Sequence, residues 1–140
     1  MKTLKYLFSA FIVLAALQLT SCGGNNPAAK YIDIMNKIVD KMEKCQNMEE
    51  LNQLIADPTL RDEASTLVKD NQDYVLTDSD KENLIKVNDR MMRVMLEKST
   101  ELSGLPEEFK KGAEAQLQAS MEELHNYIEG CKTLGDLDAL

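Results

Sequence analysis

The chain has 140 residues, the length of one domain, with 16 basic and 24 acidic residues and a net charge of −8. This acidity argues against a nucleic-acid binder, which needs a basic face to displace counterions from phosphates. It also argues against adsorption of the folded body to anionic lipid. The chain holds one histidine, three cysteines and no tryptophan, so catalytic or metal sites that need several histidines are hard to build.

The first residues have the order of a bacterial export signal. A basic start with Lys2 and Lys5 precedes 14 mostly apolar residues, from Tyr6 to Leu19. A membrane-spanning helix needs roughly 20 such residues, so the length is typical of a signal peptide. The sequence therefore predicts a removable signal over residues 1–21. Loss of its two lysines would change the net charge from −8 to −10.

The apolar run ends in Leu19-Thr20-Ser21-Cys22, which resembles the lipobox of bacterial lipoproteins, an aliphatic residue and two small residues before a cysteine. The resemblance implies diacylglycerol on the Cys22 thiol, cleavage before Cys22 and acylation of the new amino terminus. It implies a membrane anchor, because each buried methylene contributes about 0.8 kcal/mol and two or more acyl chains hold stably. The alternative is an ordinary secretory signal with an incidental cysteine, although an Ala-x-Ala cleavage site is missing.

The position after the lipobox carries a sorting rule in this family. Gly23 stands where an aspartate tends to retain the lipoproteins of enteric-type bacteria in the inner membrane, so the rule favours the outer membrane. Residues 22–29 are small and polar without periodicity, which predicts a flexible tether. Residues 30–140 are then expected to form a single helical domain.

From Lys30 onward, apolar residues recur at steps of three and four, which predicts amphipathic helices. The last of them carries an apolar stripe from Phe109 to Cys131. We therefore predict an all-α fold, a small antiparallel helical bundle of three long helices with short connecting helices. Caps and helix-breaking residues mark its boundaries: Asn47 with Glu50, Asp57-Pro58, Thr77 or Ser79, and Ser103-Gly104-Leu105-Pro106.

A faint internal repeat pairs Cys45–Leu54 with Cys131–Leu140 at an offset of 86 residues. Each cysteine is followed two residues later by a helix-capping residue, Asn47 or Thr133. The match is either a chance alignment of amphipathic helices, or the sign of a pseudo-symmetric bundle or of a recurring way of ending a helix. Two copies are too few for a solenoid.

The remaining cysteines, Cys45 and Cys131, form an even pair in an oxidising envelope, which favours a disulfide. Such a bridge would stabilise the fold by roughly 4–5 kcal/mol in the chain-entropy model. The alternative is two separate buried thiols that act as small hydrophobic groups. A catalytic thiol pair is disfavoured, because the chain has no Cys-x-x-Cys and the only histidine, His125, points to a different helical face from Cys131.

No metal or cofactor site is predicted. His125 has only Glu122 nearby as a second ligand, and zinc sites need three or four. The acidic stretch from Asp70 to Asp80 lacks the glycine of an EF-hand loop. The methionines after the signal lie at helical spacing, which favours core filling, with a copper(I) site or an adaptable groove as the alternative: Met35, Met42, Met48, Met91, Met92, Met95 and Met121.

These observations lead us to expect a small acidic lipoprotein, held by Cys22 at a bacterial envelope membrane. We expect a non-catalytic binding or scaffolding module without cofactor, whose partner is an envelope protein or peptide and not nucleic acid. A redox protein acting through Cys45 and Cys131, or a small carrier with a methionine-lined groove, is the alternative. Helical bundles host many functions, so the fold class alone does not identify the partner.

Overall fold

A computed structural model describes residues 26–139, with side chains described as far as residue 137. The prediction of an all-α bundle with three long helices is confirmed. The long helices have 18, 26 and 24 residues, and two short helices connect the first to the second. In chain order the helices are α1 (Pro27–Lys44), α2 (Met48–Ala56), α3 (Pro58–Asp70), α4 (Asp78–Ser103), α5 (Glu107–Gly130) and a C-terminal 3-10 helix (Leu134–Ala139).

The predicted caps lie where the helices begin and end. Asn47 accepts the N–H of Glu50 at 2.8 Å, and Asp57 accepts that of Thr59 at 2.9 Å. Of the two candidates before α4, Thr77 is the cap and forms a reciprocal capping box with Asp80. Gly104 ends α4 in the left-handed conformation, with φ at 63°, which glycine adopts without steric cost.

The first helix begins earlier than expected. The sequence predicts residues 27–29 to belong to the flexible tether, but Pro27 is the first residue of α1 and Ala28 is fully buried. The reason is local, because Asn26 caps the helix by accepting the N–H of Ala29 at 3.2 Å and Pro27 has the fixed φ of a first helical residue. The helical domain therefore begins at Asn26, four residues after Cys22.

Helix directions follow from the contacts between side chains. Asn26 bonds to Asp80 at the start of α4, and Cys45 accepts from Lys98 near its end, so α1 and α4 run parallel. Helices α4 and α5 are antiparallel, as Asp89 meets His125. The predicted antiparallel arrangement therefore holds for α4 and α5 but is wrong for α1 and α4. The parallel pair arises because α2 and α3 return the chain to the start of α1 before α4 begins.

The buried side chains form two clusters along the bundle. The larger cluster lies at the end where α1 and α4 begin, and includes Leu84, Ile128 and Leu134, all at 0% exposure. The smaller cluster lies toward the opposite end and is centred on Val39, Met42 and Leu51. The C-terminal segment completes the larger cluster, since Leu134 N donates to the carbonyl of Tyr74 at 2.8 Å in the loop between α3 and α4.

Candidate functional site

The predicted lipidation site, Cys22, and the predicted signal lie outside the described residues, so the nearest described feature is the point where the chain enters the bundle. There the Asn26 amide donates to Asp80 Oδ1 at 3.1 Å, while its oxygen caps α1. Asp80 is 5% exposed and also accepts from the Tyr74 hydroxyl and from the Thr77 N–H. This buried carboxylate joins the start of α1 to the α3–α4 loop and to α4.

The surroundings of Asp80 favour its ionised form. Burial alone would raise the pKa of this carboxyl, but the hydrogen bonds from Thr77, Asn26 and Tyr74 outweigh burial and hold the pKa below its ordinary value. Because every one of these donors belongs to the chain itself, Asp80 acts as a structural acceptor. The acidic stretch that contains it is therefore a helix start.

The predicted Cys45–Cys131 disulfide is wrong for this fold, as both residues are free buried thiols. Cys131 adjoins Lys132, whose carbonyl accepts from Leu76 just before α4, whereas the carbonyl of Cys45 accepts from Lys98 near the end of α4. The intervening part of α4 is about 30 Å long at 1.5 Å per residue. A disulfide needs Cα atoms within about 7 Å, so the two thiols cannot pair within one folded chain.

Each thiol instead donates a hydrogen bond to a backbone carbonyl in the last turns of the helix that precedes it. Cys45 Sγ donates to the carbonyl of Lys41 at 3.4 Å, and Cys131 Sγ donates to that of Tyr127 at 3.3 Å. Burial, and to a lesser degree the charge of Asp136, raise the pKa of Cys131. A protonated, buried thiol is a poor nucleophile, so this residue is a packing group.

The internal repeat corresponds to a shared way of ending a helix. After α1, the carboxylate of Glu50 accepts the backbone N–H of Gln46 at 2.8 Å. After α5, the carboxylate of Asp136 accepts the N–H of Lys132 at 2.7 Å. These donors and acceptors are related by the same offset of 86 residues that relates the two cysteines. The match is therefore more than a chance alignment of stripes, although α2 is an α-helix and its counterpart is a 3-10 helix.

The sole histidine is paired rather than simply solvated. His125 Nε2 lies 2.6 Å from Asp89 Oδ1, with the two side chains 34% and 25% exposed. The pair joins α5 to α4 and was missed in the sequence because its partners are 36 residues apart. Only the antiparallel register of α4 and α5 could have predicted this pair. Within residues 26–137, no three His, Cys, Asp or Glu side chains converge to hold a metal ion.

The methionines divide between core and surface. Met35, Met42 and Met121 are buried, in agreement with core filling, whereas Met95 is 38% exposed. Two concave regions of the described surface are open to solvent. One lies beside Tyr127 and Cys131 and the other beside Cys45 and Lys98. Neither is an enclosed groove of the kind that a small-molecule carrier uses.

The α4–α5 hairpin presents apolar side chains at the end of the bundle opposite Asn26. Phe109 is 63% exposed, Leu105 43% and Met95 38%, and Ala113 and Leu117 beside them are half-buried. We call these five residues the tip surface. The predicted stripe of α5 is thus buried only from Met121 onward. Because α1 ends near Lys98, α4 is the main helical neighbour of the first turns of α5.

Comparison with family models, with curated proteins and with solved structures finds no match to this chain. Among the described helices, none is both long and apolar enough to cross a bilayer.

Proposed function

We propose that this chain is a lipid-anchored bacterial envelope protein whose helical domain is a non-catalytic binding or scaffolding module. The observation that carries the proposal is the ordered N-terminus, with a basic start, a short apolar run and Leu19-Thr20-Ser21-Cys22. Cys22 is the acylated residue, and the glycine at position 23 favours the outer membrane. The bundle supplies a compact body for such an anchor, since it begins at Asn26.

The length of the tether supports this arrangement. Four residue steps separate Cys22 from Asn26, so the chain between them spans at most about 14 Å. Asn26 donates to Asp80 and caps α1, so the residue that follows the tether is held in the bundle by two hydrogen bonds. The membrane therefore lies close to the end of the bundle where α1 and α4 begin, and the far end of α4, next to Leu105, lies about 39 Å away along the helix.

The positions of Cys45 and Cys131 in this fold argue against the redox alternative. A dithiol that cycles between reduced and oxidised forms needs two sulfurs within bonding reach, and Cys45 and Cys131 lie near opposite ends of α4. The exposed apolar side chains of the hairpin favour a role in association instead, because exposed apolar patches mark interaction surfaces.

The intact mass of the protein extracted from membranes tests the anchor. We expect a species that begins at Cys22 and carries added acyl mass, and we expect the Cys22→Ala variant to leave the membrane fraction. A Cys45→Ala variant is the matched control and should keep the acyl mass. An unacylated wild-type chain, or one cleaved elsewhere, would contradict the proposal.

A further inference from the structure

One large apolar side chain is exposed at the end of the bundle that the tether enters. Val75 is 68% exposed in the α3–α4 loop, between the half-buried Tyr74 and Leu76, which is 6% exposed. Side chains alternate along an extended segment, so Val75 points away from the core. The backbone on both sides of it is held in place. Leu76 N donates to the carbonyl of Lys132 at 3.0 Å, and Leu134 N donates to that of Tyr74 at 2.8 Å.

The exposed valine is connected to the start of α1 through one carboxylate. Asp80 accepts from the Asn26 amide at Oδ1 and from the Tyr74 hydroxyl at Oδ2, each at 3.1 Å. Val75 follows Tyr74 directly in the chain, so the first residue after the tether and the exposed valine belong to the same end of the bundle. The exposed residues of this loop and of the segment that faces it form what we call the base surface: Asp73, Val75, Thr77, Asp78 and Lys132.

The short tether brings a membrane anchor close to the base surface. Four residue steps from Cys22 to Asn26 span at most about 14 Å. Acyl chains on Cys22, as proposed above, place this residue at the boundary of the hydrocarbon core, and the headgroup layer above it is about 5–7 Å thick. Asn26 therefore lies within about 10 Å of the outer edge of the headgroups. This gap admits water but not another folded domain, so lipid is the neighbour of the base surface.

Charge decides which lipid the base surface fits. It carries Asp73 and Asp78 against a single lysine, Lys132, and the chain as a whole is acidic. Anionic lipid repels such a surface, whereas the neutral headgroups of a zwitterionic lipid do not. An isolated exposed valine is ordinary on a protein surface and buries too little area to hold the chain by itself. Beside a covalent anchor the contact is intramolecular, so a small apolar group is enough to orient the domain.

We propose that the base surface is a contact site for a zwitterionic lipid bilayer, with Val75 entering the headgroup layer beside the acyl anchor. The proposal rests on the proposed function, because the acyl chains hold the base surface at the membrane. The contact orients the bundle with α4 directed away from the bilayer, so the tip surface projects from it. The two exposed apolar sites then have different surroundings, since Val75 contacts lipid and Phe109 stays in water.

The chain has no tryptophan, so Val75→Trp and Phe109→Trp each introduce a single fluorescent reporter. The full acylated chain is reconstituted at low density in phosphatidylcholine vesicles, with or without bromine on the acyl chains near the headgroups. Bromine quenches tryptophan on contact, so we expect the emission of Val75→Trp to fall about twofold and that of Phe109→Trp to stay unchanged. The variants are matched, because the native side chains are 68% and 63% exposed and both carry the affinity of tryptophan for membrane interfaces.

Lipid charge tests which residues face the membrane. Replacement of about half of the phosphatidylcholine by phosphatidylglycerol should weaken the quenching of Val75→Trp at low salt, because the base surface is repelled by anionic lipid. Addition of Asp73→Lys to Val75→Trp should restore the quenching. Glu114→Lys is the matched control, since it makes the same change of charge at an exposed residue in the first half of α5, and it should restore much less. Circular dichroism confirms that each variant is folded.

Every other result overturns the proposal. Equal quenching of both reporters shows that the bundle lies flat on the bilayer, and quenching of neither, or of Phe109→Trp alone, shows that the base surface stays in water. Equal effects of Asp73→Lys and Glu114→Lys show that the base surface does not face the lipid. The intact mass of the same preparation separates the two proposals. An acylated chain without quenching contradicts the lipid contact alone, whereas an unacylated chain contradicts the proposed function as well.

Discussion

The side-chain amide of Asn26 donates a hydrogen bond to Asp80 at 3.1 Å, and this bond ties the start of α1 to the start of α4. The two residues are 54 positions apart, yet Asn26 also caps α1 and Asp80 completes the capping box of α4 with Thr77. The bond fixes where the tether meets the bundle.

Replacement of Asp80 by asparagine should lower stability and alter its pH dependence. Because hydrogen bonds hold the pKa of Asp80 below its ordinary value, its stabilising contribution is complete above the unfolded pKa of about 3.9 and is lost as the pH falls through the lower folded value. We expect Asp80→Asn to cost about 2 kcal/mol near neutral pH and less in acid. Urea unfolding at several pH values measures this.

Glu82→Gln is the control for that experiment. Glu82 is an exposed carboxylate whose pKa is lowered by the hydrogen bond and the charge of Lys86, a surface pair that contributes little. Its replacement should leave the unfolding curves nearly unchanged at every pH. A loss as large as that of Asp80→Asn would show that the buried cluster has no special role.

The two cysteines should behave as independent buried thiols. We expect the urea midpoint to be the same with and without reductant, whereas a native bridge would make reduction cost roughly 4–5 kcal/mol. Alkylation of Cys45 and Cys131 should be slow in the folded chain and rapid in denaturant, because both are buried. A monomer that is lighter by two hydrogens and resists alkylation until reduced would contradict this fold.

The apolar residues in the second half of α5 should contribute more to the unfolding free energy than those in its first turns. Ile128→Ala removes a fully buried side chain and should cost about 3 kcal/mol. Phe109→Ala removes a larger side chain that is 63% exposed, and should change the unfolding free energy by less than about 0.5 kcal/mol. Equal losses in the two variants would mean that the first turns of α5 are covered in the monomer.

Gly135 allows the C-terminal segment to pack closely against the α3–α4 loop. Gly135 N donates to the carbonyl of Gln72 at 3.0 Å, and a Cβ at Gly135 would lie 2.9 Å from that oxygen. We expect Gly135→Ala to cost about 1–3 kcal/mol through this clash with the backbone. Gly112→Ala, in a helix interior with open space around its Cβ position, should instead stabilise by about 0.5–1 kcal/mol.

The parts of the fold that could be predicted from the sequence are those set by interactions between neighbouring residues. Helix starts at Asn47, Asp57 and Thr77 follow from side chains that cap N–H groups two or three residues away, so they are readable in order along the chain. The start of α1 was readable in the same way, from Asn26 before Pro27, but its small residues were assigned to the tether. Pairs such as Asp89 and His125 depend on the register between helices, which no local pattern contains.

The amino-acid sequence by itself determined the helical class, the caps and the lipobox-like N-terminus, because period, capping and motif order are properties of neighbouring residues. Only the tertiary structure decided that Cys45 and Cys131 lie far apart, since this depends on the parallel course of α1 and α4. It likewise decided that Phe109 faces solvent while Ile128 is buried. The apolar stripe of α5 is buried at one end and exposed at the other because α1 has 18 residues and α4 has 26. The far end of the α4–α5 hairpin therefore extends beyond α1.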